Sequence, residues 1–101
     1  MLVHVETADD VGRERVTQLL QYSLNGHRED IDSLQLGVAT IQDPLGTKLY
    51  RCRLRALLRH GPPIEVEDVQ SRLDLAVTRV LERSVRTIQR RRGASMQSHF
   101  A

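Results

Sequence analysis

Two sets of arginines stand at spacings that could do chemistry. The first lies in the run Leu49 to Arg59, where Tyr50, Cys52, Leu54, Ala56 and Leu58 alternate with Arg51, Arg53, Arg55 and Arg59, interrupted by Leu57. A strand has a side-chain period of two, so this run has one apolar and one basic face, with successive arginines about 7 Å apart. The second set is Arg72, Arg79, Arg83, Arg86 and Arg90. At about 100° per residue these fall within an arc of roughly 60° on a helix, with the apolar stripe centred about 130° away. Asp74 and Glu82 lie on the other polar flank, and Arg91 and Arg92 extend the cationic end. Fourteen of the fifteen cations are Arg, the exception being Lys48. A guanidinium meets a phosphate with two parallel donors, so the chemistry on offer is ionic recognition of a phosphate backbone. The plainer reading is solvation. An open sheet face must be polar, and Asp68 with Arg72 and Glu82 with Arg86 stand at the i,i+4 spacing of ordinary surface pairs.

Other chemistry finds little support. His4, His27, His60 and His99 are scattered, with no ligand partner at a metal-binding spacing. Cys52, the only cysteine, sits on the apolar side of its run, which points to core packing and a reducing compartment. Gly26, Gly37, Gly46 and Gly61 stand alone, so there is no glycine-rich phosphate loop. His27 with Glu29 and Asp30 could mimic an acid–base cluster, but a polar loop explains it better. Aromatics are 3% and Trp is absent, which argues against a reader of single-stranded bases. Net charge is only +2, so the placement of charge outweighs its total. No secretory leader and no apolar run near 20 residues opens or crosses the chain. The expectation is a cytoplasmic protein that is no enzyme, uses no cofactor or metal, and takes no small-molecule substrate.

The elements that must position these arginines follow from periodicity. Leu2 to Glu6 reads as a strand, and Asp9 or Asp10 as the cap of a helix over Val11 to Leu24, with Val11, Val16, Leu19, Leu20 and Tyr22 on its apolar arc. Asn25-Gly26 reads as a left-handed helix stop. Ile31 to Ile41 and Lys48 to Arg59 form a hairpin around the type I turn signal Asp43-Pro44-Leu45-Gly46. After His60-Gly61-Pro62-Pro63, a short strand covers Ile64 to Glu67. Asp68 then caps a long helix with Val69, Leu73, Ala76, Val77, Val80, Leu81, Val85 and Ile88 on one face. The order is β-α-β-β-β-α, an α+β fold with two helices on one face of a four-stranded, mainly antiparallel sheet. Residues 1–92 are read as one domain and residues 93–101 as a flexible polar tail.

Gly12-Arg13-Glu14, Arg51-Cys52 followed by Gly61 and a proline, and the segment Ser71 to Arg92 with Leu73, Leu75, Ala76, Val80 and Leu81 before its basic end resemble the ribosome hibernation promoting factor family, also called ribosome-associated inhibitor or sigma-factor modulation proteins. The likeness spans about residues 3 to 91 and matches a short form without the C-terminal domain of the long forms. The resemblance implies a layout like that of double-stranded RNA-binding domains. It implies a stress-response role in ribosome hibernation and translation regulation, by binding the small ribosomal subunit where messenger and transfer RNA pass. It also places Arg79, Arg83, Arg86 and Arg90 against ribosomal RNA.

The leading expectation is a monomeric, RNA-binding, ribosome-associated protein. Its contacts are Arg72, Arg79, Arg83, Arg86, Arg90, Arg91 and Arg92 of the helix and Arg51, Arg53 and Arg55 of the strand, mostly to phosphates. The alternatives are a protein-interaction module that meets an acidic partner through the same stripe, and a small enzyme or ligand-binding domain that uses the open sheet face.

Overall fold

Alternation in the long central run is realised as a hairpin. In this computed structural model, which describes residues 1–7 and 10–100 without the side chains of residues 10–11 and 94–100, β2 (Ile31–Gln42) pairs antiparallel with β3 (Lys48–Leu58). The turn between them is built by Asp43. Its carbonyl accepts the Gly46 N–H at 2.9 Å, and its Oδ1 accepts the N–H groups of Leu45 and Thr47 at 2.9 and 2.8 Å. Gly46 takes φ +85°, a conformation that glycine alone adopts cheaply.

β1 (Leu2–Thr7) runs parallel to β2, and β4 (Ile64–Gln70) runs antiparallel to β3, giving the sheet order β1-β2-β3-β4. A parallel neighbour needs a crossover, and α1 (Asp10–Leu24) supplies it. α2 (Leu73–Phe100) packs mainly over β4 and β3, and both helices share one face of the sheet. Leu34, Leu36, Val38, Cys52, Leu54, Ala56 and Ile64 bury their side chains there against Val16, Leu20, Leu24, Ala76, Val77, Val80, Leu81 and Ile88. Burial of each large aliphatic chain stabilises by about 1.5–3 kcal/mol. Gly12 lets the helices meet, since a Cβ there would stand 3.0 Å from Leu73 Cδ2.

Several local expectations are corrected. The fourth strand does not stop at Glu67. Its alternation continues through Asp68 and Gln70, opposite Cys52 and Tyr50, because the longer β3 offers backbone partners that a helix start does not. Asp68 is therefore a strand residue, Val69 lies outside the helix, and α2 begins at Leu73, where the Arg72 carbonyl accepts the Ala76 N–H at 3.1 Å. Tyr22 is 88% exposed, since it stands about 200° around α1 from Leu20. Gly26 does not turn left-handed. The chain tightens into a 3-10 turn over Asn25–Asp30, whose i→i+3 bonds serve the end of the helix instead. α1 opens at Asp10, and Asp9 lies outside the described residues. α2 also runs on through Gly93 to Phe100, past Arg92.

Candidate nucleic-acid interface

The strand arginines do project from the open face of the sheet, but they are spoken for. Arg53 stands opposite Glu67 and Arg55 opposite Glu65 in the β3–β4 register. Glu67 takes both Arg51 and Arg53, at 3.2 and 3.3 Å, and Glu65 takes Arg55 at 3.6 Å. Arg59 reaches Asp32 on β2 at 3.5 Å. Each exposed pair is worth at most about 1 kcal/mol. Together they nonetheless turn a cationic row into a lattice in which three carboxylates offset most of the charge of four arginines. Sequence reasoning overlooked Glu65 and Glu67, although their alternation within a strand beside β3 was the signal.

The helical arginines divide into three groups. Arg79 Nε lies 4.0 Å from Asp68 Oδ2, and Arg92 Nε 3.7 Å from Asp30 Oδ2, so two cations face carboxylates. Arg83 Nη1 donates to the Glu67 carbonyl at 2.9 Å, and Arg91 Nη1 donates to the Pro62 carbonyl. Those acceptors are neutral, so both guanidiniums lack a carboxylate partner among the described residues, while Arg83 caps the outer edge of β4 and Arg91 the turn just ahead of it. Arg86 and Arg90 have no ion pair or hydrogen bond among the described residues. The second group and this third group meet in one place: Arg83, Arg86, Arg90 and Arg91 line an open groove of about 370 Å³ whose other wall is Pro63 to Val66. Arg72 precedes the helix and is not in that groove, nor are Arg79, Arg92 and the strand arginines. The acidic flank is real but tied elsewhere, with Asp74 3.8 Å from Arg15 of α1.

The inner side of the sheet holds no competing chemistry. Cys52 is fully buried, and its thiol is pushed up to about 12, first by loss of water and then by the Asp68 carboxylate opposite it. Asp68 itself accepts from Gln70 Nε2 at 3.0 Å. His27 Nδ1 is buried 3.9 Å from Asp30 Oδ2, beyond hydrogen-bond length, and the cluster ends there. Among the described residues no three His, Cys, Asp or Glu gather as metal ligands, and no helix is long and apolar enough to cross a membrane.

No protein-family model matches the chain, and no curated protein matches its sequence. Among solved structures, the N-terminal domain of Protein Y from Thermus thermophilus is similar in fold. Its TM-score is 0.63 at 19% identity, covering 89% of this chain and 98% of that one. Rare lipoprotein B from Shewanella oneidensis aligns over 99% and 98% of the two chains at 16% identity with a TM-score of only 0.33, too low to carry an argument.

Proposed function

We propose that this chain is a non-enzymatic, ribosome-associated factor that holds small-subunit ribosomal RNA by its phosphates along the groove of Arg83, Arg86, Arg90 and Arg91. The observation that carries the proposal is the gathering of four guanidiniums on one side of α2 that meet no carboxylate among the described residues, two of them with no hydrogen bond there either. The fold supports it, because the Protein Y domain has the same layout and the sequence resembles the hibernation factor family. A-form RNA is bound by shape and backbone, which suits a straight row of arginines and requires no stacking aromatics. Bound in the messenger and transfer RNA path, such a domain would oppose initiation and keep idle ribosomes intact, in the cytoplasm and under stress.

Co-sedimentation with purified small ribosomal subunits tests the proposal. The parent chain should pellet with the subunits, and the charge-reversed pair Arg86→Glu with Arg90→Glu should stay in the supernatant while remaining folded. Asp74→Ala, on the opposite flank, should pellet like the parent. Equal pelleting of all three would show that the stripe is only a solvated face.

A further inference from the structure

The two edges of the sheet are treated differently. β4 is blunted, because Arg83 reaches across from α2 to the Glu67 carbonyl, and Arg91 reaches the Pro62 carbonyl just ahead of the strand. Among the described residues, no side chain bonds to the backbone of β1 from Leu2 to Glu6. A bare strand edge is a template for pairing with another chain. This edge also exposes apolar surface: Leu2 is 77% and Val3 41% exposed, and Val3 borders an open groove of about 290 Å³ against Leu24 and Asn25 at the end of α1.

We infer that β1 is a self-association edge, and that its occupant is β1 of a second copy of this chain, paired antiparallel about a two-fold axis normal to the sheet. Symmetry limits the register. Opposed residues must share a face of the sheet, so their numbers sum to an even value. A sum of 8 sets His4 against His4, and a sum of 12 sets Glu6 against Glu6. A sum of 10 sets Val5 against the partner's Val5 and His4 against the partner's Glu6, twice. His4 and Glu6 both project from the open face and are exposed, and neither has an intramolecular partner among the described residues. An imidazole N–H opposite a carboxylate is the one complementary arrangement that β1 can make with itself. In that register Val3 is covered by the partner strand. The result is a continuous eight-stranded sheet with all four helices on one side, and the two α2 helices at its outer ends. This inference is independent of the ribosomal reading and replaces the expectation of a monomer.

Sedimentation velocity of the intact chain across a concentration series tests both the association and its register. The parent should show a reversible monomer–dimer equilibrium. His4→Glu alone and Glu6→Lys alone should each weaken it, by about 2- to 30-fold in Kd, because the first sets carboxylate against carboxylate twice across the two-fold and the second removes both carboxylates that face the imidazoles. The double variant His4→Glu with Glu6→Lys restores opposite charges in reversed order and should recover dimerisation. An equimolar mixture of the two single variants should associate more tightly than either alone. A parent that stays monomeric to millimolar concentration would overturn the inference. So would a dimer indifferent to these exchanges, since it would use another surface.

Discussion

Cys52 shows how far one residue can be read, and where reading fails. Alternation alone put it on the buried face, and it is fully buried. What alternation could not show is the carboxylate facing it. Asp68 looked like a helix cap because an acid ahead of an apolar period is the same signal in a strand that has two more residues to run. The choice is made by the partner strand, which lies outside any local window. The consequence is testable. The thiol rises from 9.0 to about 12 on folding, so the native state keeps its proton at pH values where the unfolded chain has lost it. The stabilising contribution is complete below pH 9 and is lost as pH rises towards 12, by up to about 1.4 kcal/mol per pH unit. Urea unfolding at pH 8 and pH 10.5 should show a steeper loss for the parent than for Cys52→Ala, whose pH dependence lacks this group. A thiol reagent at neutral pH should label the native parent only after denaturant is added.

At the scale of elements, the long amphipathic segments were legible and their ends were not. β2, β3 and most of α2 carry their period through many residues, and Leu34, Leu36, Val38, Leu54, Ala56, Val77, Val80 and Leu81 do share one core. Ser84 was missed inside that helix stripe. It is buried, and its hydroxyl donates to the Val80 carbonyl at 2.8 Å, so a residue of polar type fills a core position without an orphaned donor. β4 and the first turn of α2 were misplaced because Asp68 to Arg72 satisfies a strand and a helix template equally on local pattern. Leu54 measures how well the central strand is seated, being 2% exposed on the face covered by α2. Leu54→Ala should cost about 2–5 kcal/mol in urea unfolding, the range for truncating a packed aliphatic chain. A loss below about 1 kcal/mol would mean that the site collapses freely and that the core is not close-packed there.

For the whole molecule, what matters is which charges remain once the internal partners among the described residues are set against them. A helical wheel saw five aligned arginines and could not see that Asp68 and Glu67 of β4, and Pro62 just ahead of it, lie beside them. The folded chain removes Arg72 from the helix, gives Arg79 and Arg92 to carboxylates, and leaves Arg83, Arg86, Arg90 and Arg91 with no carboxylate partner among the described residues. If those four each neutralise one phosphate, the log-log salt dependence of binding to structured RNA should have a slope of about −3 to −4, taking about 0.7–0.9 per contact. Arg86→Ala and Arg90→Ala should each flatten it by nearly one unit, equally on unrelated RNA sequences, since a phosphate contact positions without specifying. Arg79→Ala should leave the slope unchanged, because its charge is already met within the protein. Asp68→Asn should do the reverse, freeing Arg79 and steepening the slope by up to about one unit. Folding stability should barely move in any of the arginine variants, as exposed pairs contribute at most about 1 kcal/mol. A slope that flattens as much for Arg79→Ala as for Arg86→Ala would place the RNA across the whole helix rather than in the groove beside β4.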